Sequence, residues 1–453
     1  MGTEWLKPLK NLHCMDNMIY ELAEKAKKAV ENNCDAYEIY IDKTKLIELD
    51  SKQDELNFAK EEIEQGIGIR VIKDNKLGFA FTSNLERIIE TANQAVENTK
   101  LNKHDENNAF SEIEKVEDVK KVHDNKFNDL DLDESVEFLK TVISTATDSG
   151  CEVTGSGFSA SEGQSLIINS NGVSIENKET GFGIGLSVTI QKDGQIATAY
   201  NSQSSRFFDL EGVKLANEVC DLAKSSLDTK PIETNDYDVV LDYYAATGLL
   251  NTFLGAFDGE NVRRGRSILK DKIGTEIANP TLCIIDNPLL EKGMHTTKCD
   301  GEGSVSQKTD LIKDGVLNSF IYDIYTANKE NVKTTSNGFR GSFMTTPTIS
   351  PSNLEFKFSE MKDLSEIDKG VLTTSVLGAH TANPISGDFS VEASNAFKIE
   401  NGELTEPINK AMISGNIFEI MKKVEGLNSE IKQYGPYIIP KLLVHDLRVV
   451  GQN

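Results

Sequence analysis

The sequence predicts an α+β protein in two parts, a duplicated helix–antiparallel strands–helix domain and then a strand-rich domain with a few helices. Three observations carry this. Before residue 230 the hydrophobic period passes from 3.6 to 2 and back to 3.6, twice in the same order. The chain then changes character at Thr229-Lys230-Pro231-Ile232. Beyond that point Gly and Asn punctuate short apolar runs at hairpin spacing. The bounds that follow are 1–232 and 233–453, with an acidic insertion at about 101–132.

In chain order, Ile19, Leu22, Ala23, Ala26 and Val30 mark the apolar stripe of a first helix. Met15 and Met18 are as plausible a start as Met1. Alternation places Tyr37, Ile39 and Ile41 in one strand and Ile67, Ile69 and Val71 in the next, and a turn at Asp74-Asn75 leads to Phe79 and Phe81. Ser83-Asn84-Leu85-Glu86 has the form of a capping box, opening a helix with Ile88, Ile89, Ala92, Ala95 and Val96 inward. The insertion from Leu101 to Leu132 is expected to be an irregular loop with solvated charges. The order then repeats. A helix carries Val136, Leu139, Val142, Ile143 and Ala146; a strand over Leu166 to Asn169 turns at Asn171-Gly172; a long strand runs through Phe182 to Ile190 and turns at Asp193-Gly194; a closing helix runs from Asp209 to Ala223 with Val213 inward. In the second part Val239-Val240-Leu241 is a strand. It feeds an amphipathic helix with Ala246, Leu249, Leu250, Phe253, Leu254 and Phe257 on one buried face, interrupted by Gly255. Leu282 to Ile285 and hairpins at Asp314-Gly315 and Asn401-Gly402 follow.

A formal net charge of −24 repels phosphate backbones, and no basic patch offsets it, so nucleic acid is not expected as a partner. No apolar run approaches a membrane span, the amino terminus lacks signal-peptide character, and six scattered cysteines without C-x-x-C pairs suit reduced thiols. A cytoplasmic protein is expected.

Local constellations are weak. No two of the six histidines lie within five residues, which excludes a helical HExxH metal motif. His295 and Cys299, with Asp300 and Glu302, could form a soft site, but Asp and Gly here serve a polar turn more readily. His380 near Asp388 could form a base and its orienter, yet no nucleophile motif accompanies them, and a loop histidine is the simpler reading. Arg340, after Asn337-Gly338-Phe339, could present its guanidinium to a peptide carboxylate or sit in a structural ion pair. His295, Arg340, His380 and Asp388 are the candidate groove or loop residues.

Several segments in order carry a resemblance. They are Gly259-Glu260-Asn261-Val262 with Arg264 and Arg266-Ser267, Asp300-Gly301-Glu302-Gly303, Ile312-Lys313-Asp314-Gly315-Val316-Leu317, Ser336-Asn337-Gly338 with Arg340, Ser386-Gly387-Asp388-Phe389-Ser390, Ile399-Glu400-Asn401-Gly402 and Ser414-Gly415-Asn416. In these the chain resembles the TldD/PmbA family, the TldD–TldE metallopeptidase system once described as modulators of DNA gyrase. The likeness is strong over 235–453 and looser over 16–230.

TldD-type chains of that family carry a helical HExxxH zinc motif and a later cysteine ligand. Here the motif falls on Asn251-Thr252-Phe253-Leu254-Gly255-Ala256, so Asn251 and Ala256 replace the histidines and Thr252 the glutamate base, and no cysteine follows Cys299. Asn and Thr are weak zinc ligands, Ala has no donor atom, and no carboxylate remains there to activate a water. Residues five apart lie ~140° around a helix, so converging them needs a kink, and Gly255 is expected to be retained architecture kept for packing. The resemblance is therefore to the TldE (PmbA) type. It implies a non-catalytic, pseudoenzyme subunit that dimerises with a TldD-type HExxxH chain, or with itself, and contributes to proteolysis of unfolded or small peptides. No cofactor is expected in this chain, with zinc expected only in the partner. The alternatives are an autonomous hydrolase using His295, Cys299, His380 or Asp388, and a peptide- or protein-binding module.

Overall fold

The computed structural model describes residues 16–451. The starts at Met1 and Met15, together with His13 and Cys14, lie outside the described residues. Helix α1 (Asp16–Val30) precedes three antiparallel strands, β1 (Ala36–Lys52), β2 (Glu55–Lys73) and β3 (Lys76–Thr82), and α2 (Ile88–Asn98) closes the unit. The second unit repeats this with α3 (Leu132–Asp148), β4 (Glu152–Asn169), β5 (Ser174–Lys192), β6 (Gln195–Ser205) and α4 (Gly212–Ser225). The two units share one six-stranded sheet of order β3-β2-β1-β4-β5-β6. Its joint is β1 against β4, paired from Glu38↔Asn169 to Ser51↔Ser156.

Strand alternation decides what each face does. Ile39 and Ile41 of β1 join α1 and α2 in one apolar cluster. Ile47 and Leu49 join α3 and α4 in another. All four helices therefore cover one face of the sheet. Glu38, Tyr40, Asp42 and Thr44 alternate with those apolar residues and lie on the opposite face. There the backbone of a C-terminal loop approaches so closely that a Cβ on Gly68 would stand 2.4 Å from the Phe343 carbonyl oxygen.

The strands extend further than their apolar alternation. β1 has 17 residues and β2 has 19, but the first ten residues of β2 are largely solvated, so no hydrophobic pattern marks them, while Ile47 and Leu49 of β1 remain buried. Three local expectations are corrected. Asn84, not Ser83, caps the turn before α2, accepting from the Glu86 backbone N–H at 3.0 Å. Ile89 and Val213 are exposed, because the rows facing the sheet are Ile88, Ala92, Ala95 and Leu215, Ala216, Val219. The acidic insertion is irregular apart from short 3₁₀ turns, yet it is not merely solvated. Phe110 and Ser111 are buried, Ser111 Oγ donates to the Glu302 carbonyl at 2.6 Å, and Asp105 accepts from Lys329 Nζ at 2.7 Å.

Beyond residue 233, β7 (Asn235–Leu241), Lys369–Leu377, Asp388–Glu400, Ala411–Asn416 and Leu442–Gly451 pair in sequence, and the last returns to β7, closing a ring. A second sheet contains β8 (Leu282–Asp286), Thr309–Lys313 and Leu354–Phe358. Helix α5 (Tyr243–Leu254) leaves β7 directly, capped by Asp242, whose carboxylate accepts from the Tyr243 N–H at 2.7 Å. Leu249, Leu250 and Phe253 of α5 share one core with Val239 and Val391 of the ring and with Leu282 and Ile284 of the second sheet. The helix is thus buried on more than the single face its sequence suggests, and the row Tyr244, Gly248 and Asn251 stays open, with Leu254 partly so.

Candidate functional site

The open row of α5 looks into a groove. Tyr244, Thr247 and Asn251 form one wall, Tyr200, Ser202 and Ser204 of β6 another, and residues 433–437 the third, around about 290 Å³. Tyrosines dominate it. The Tyr244 ring lies edge-on to Tyr434 at 4.6 Å and to Tyr200 at 5.5 Å, and its hydroxyl bonds that of Ser202. Asn251 Oδ1 accepts from the Tyr437 hydroxyl at 2.7 Å. Thr252 is buried, and Ala256 belongs to the core. The three positions therefore do not converge on the groove. An amide whose oxygen is already bonded, a buried hydroxyl and a methyl group do not fit a zinc ion.

Gly255 has a different role from the one expected. Its φ of −58° and ψ of −18° are ordinary right-handed helix, and a Cβ there would meet only Asn261 Nδ2 at 3.9 Å. Packing does not require glycine at this position. The change from α to 3₁₀ geometry over Gly255–Phe257 is held by neighbours, with Asn261 Nδ2 donating to the Gly255 carbonyl at 3.0 Å and Ser267 Oγ to the Ala256 carbonyl at 2.7 Å.

A larger cavity of about 550 Å³ lies between the open face of the N-terminal sheet and loops of the C-terminal part, with Tyr40, Asp42, Glu179, Arg206, His295 and Arg340 in its walls. Two of the four candidate residues are here. His295 lines the cavity, and its crowded surroundings, then the Arg206 charge, hold its pKa below the ordinary value. Arg340 is not free to grip a ligand. It pairs with Glu38, donates through Nε to the Gly301 carbonyl at 2.6 Å, and lies over the Tyr40 ring at 4.9 Å. Of the two readings of Arg340, the structural ion pair is what the fold contains.

Glu38, fully buried, also receives Arg70 Nε at 2.8 Å and Nη2 at 2.6 Å, and Arg70 reaches on to Glu302 at 3.5 Å. This chain of charges joins the N-terminal sheet to the C-terminal loops. Arg206 makes a second joint, donating to the Gly293 carbonyl at 3.1 Å and pairing with Glu179 at 3.0 Å. Among the described residues no salt bridge reaches the carboxyl of Asp42, and burial, then Glu179 and Glu64, pushes it up to about 6.

The His295–Cys299–Asp300–Glu302 stretch resolves into a turn. Asp300 accepts backbone N–H bonds from Glu302, Ser304 and Gly338 at 2.9–3.0 Å. Glu302 accepts from Ile324 N–H at 2.8 Å. Burial raises both carboxyls, against the backbone donors on one and Arg70 on the other. The Cys299 thiol is buried and pushed up to about 12. Among the described residues no three His, Cys, Asp or Glu side chains are grouped to hold a metal.

His380 and Asp388 fall in neither concavity. His380 is exposed on a 3₁₀ turn and makes no side-chain hydrogen bond among the described residues. Asp388 is bonded instead to Asn416 Nδ2 and Ser386 Oγ, both at 2.8 Å, which hold its carboxyl below the usual range. They form no base–orienter pair. The residues missed from sequence are Glu38, Arg70, Asp42, Glu179 and Arg206. For the first, a signal was present, since Glu38, Tyr40 and Asp42 alternate with apolar residues on a strand that reads as core.

This strand-rich α+β chain falls in the metallopeptidase-like class that the PmbA/TldA family models describe. Family models agree along the chain. The PmbA/TldA metallopeptidase C-terminal domain matches residues 234–451, the central domain 125–227 and domain 1 residues 37–99. An uncharacterized protein of Methanocaldococcus jannaschii is 36% identical over 410 residues, covering 90% of this chain and 93% of that one. Metalloprotease PmbA of Escherichia coli O157:H7 is 24% identical, over 99% of each chain. The crystal structure of TldE from Thermococcus kodakarensis superposes with a TM-score of 0.89 at 24% identity, covering 95% of this chain and 100% of that one. The chain belongs to the PmbA/TldD family. Among the described residues no helix is long and apolar enough to cross a membrane.

Proposed function

We propose that this chain is a TldE/PmbA-like non-catalytic subunit, paired with a TldD-type HExxxH chain and contributing the second wall of a groove for unfolded or small peptides. One observation carries the reading. The positions that the resemblance assigns to the zinc motif of TldD-type chains fall on α5 and the 3₁₀ turn after it, beside a groove, and hold Asn251, Thr252 and Ala256 where two ligands and a base are needed. The groove suits peptides in general, since tyrosine rings and hydroxyls accept varied side chains. The cavity that holds His295 does not favour an autonomous hydrolase, because the Cys299 thiol that also lines it has its pKa raised by burial and, among the described residues, is hydrogen-bonded to Asn177 and not to His295.

The test is metal content together with peptidase activity, for the chain alone and mixed with a TldD-type partner. The chain alone is expected to hold no stoichiometric zinc and to cleave nothing, with activity appearing only in the mixture. One tightly held zinc per chain, or hydrolysis by the chain alone that survives removal of contaminants, overturns the proposal.

A further inference from the structure

β2 is paired with β1 along nearly its whole length, but with β3 only from Ile67 to Lys73. Residues 55–65 are therefore a free sheet edge, ~33 Å long at ~3.3 Å per residue. Proteins usually blunt such an edge, because its unpaired N–H and C=O groups are a template for another strand. This one contains no proline and leaves Leu56, Phe58 and Ile63 at 43%, 40% and 48% exposure. Phe58 sits opposite Asp50 and Ile63 opposite Lys45, so the two apolar side chains lie on opposite faces of the strand.

Charge decides what can pair there. Residues 55–65 carry four glutamates against one lysine, a net charge of −3. Glu61 is bridged to Lys45 at 3.0 Å and Glu62 to Lys60 at 3.2 Å, while Glu55 and Glu64 have no ion-pair partner among the described residues. A second copy would set the same acidic strand against itself, on a chain of net charge −24, and like charges directly opposite destabilise a strand pair. A strand alternating Lys or Arg with apolar residues sets its basic side chains along the glutamates of one face of the edge and its apolar side chains beside the apolar anchor of the other.

We propose that the free edge of β2, residues 55–65, docks an extended basic and apolar segment of another protein as an added strand. The surface is separate from the α5 groove and does not depend on how that groove is used.

The experiment mixes the full chain with a ten-residue (Lys-Val)₅ peptide, with (Lys-Gly)₅ as an equally charged control of low strand propensity. Hydrogen exchange locates the contact and fluorescence anisotropy measures it. The (Lys-Val)₅ peptide is expected to slow exchange at residues 55–65 and to bind more tightly than the control. Affinity should fall with added salt, and the triple variant Glu61→Lys, Glu62→Lys, Glu64→Lys should lose about tenfold. The exchange map on the unaltered chain stands even if that variant misfolds. Protection elsewhere, equal binding of the two peptides, or no binding overturns the proposal. So does a concentration-dependent dimer protected at 55–65, which would assign the edge to a second copy.

Discussion

Replacing Arg70 with Met tests whether the buried charges hold the two parts of the molecule together. Met keeps most of the apolar stem, which passes the Phe110 ring with the guanidinium carbon 5.2 Å from its centroid, but removes the charge. Glu38 loses two hydrogen bonds of 2.8 and 2.6 Å and keeps Arg340, while Glu302 loses the Arg70 cation. All of these groups are buried, so water cannot replace the lost partner. Removing one member of such a pair costs ~3–5 kcal/mol. Urea unfolding followed by far-UV circular dichroism should show a midpoint lowered by roughly 1 M or more at an unchanged slope, taking a slope near ~3 kcal/mol/M. Adding Glu302→Gln should recover part of the loss, because it removes the carboxyl that burial already drives toward its neutral form. The exposed Arg87–Glu90 pair is the control, and Arg87→Met should leave the midpoint where it is. A loss below ~1 kcal/mol for Arg70→Met would refute the reasoning, since it would mean these charges are solvated.

Two further outcomes are expected. Gly255→Ala should leave stability unchanged or raise it by ~0.4–1 kcal/mol, because the backbone is helical and the space is open; a lowered melting temperature would restore a packing role for the glycine. His445 bridges Asp238 and Glu425 at 2.9 Å each. Burial alone would lower its pKa, but the bonds to Glu425 and Asp238 outweigh it and raise the pKa. A raised folded pKa gives stability that is full below the unfolded value of ~6.5 and lost as pH rises through the folded value. The site is more than a third exposed, so the effect is at most about 1 kcal/mol. NMR titration of the ring and a flatter pH–stability profile for His445→Gln check it; a ring pKa at or below the ordinary value would contradict it.

The sequence by itself determined the helices of the N-terminal part and the order in which its elements repeat. The stripes Ala23, Ala26, Val30 and Leu139, Val142, Ala146 are local patterns, set by burial of one helix face against a sheet, and they need no distant partner to be legible. The residue types at Asn251, Thr252 and Ala256 are equally legible, but the bond that Asn251 makes and the burial of Thr252 and Ala256 are not. The extent of β2 was hidden because its first ten residues bury too little to leave an alternating pattern. Only tertiary structure decided the rest. Arg340 meets Glu38 across 302 residues, and Arg70 meets Glu302 across 232. No periodicity records such pairs, because an ion pair depends on where two chains cross and not on what flanks either residue. Gly255 and the pair His380 and Asp388 show the converse. Spacing suggested a packing role for Gly255 and left a base–orienter pair open beside the simpler loop reading of His380 and Asp388, while the space around Gly255 and the hydrogen-bond partners of Asp388 are properties of the folded chain.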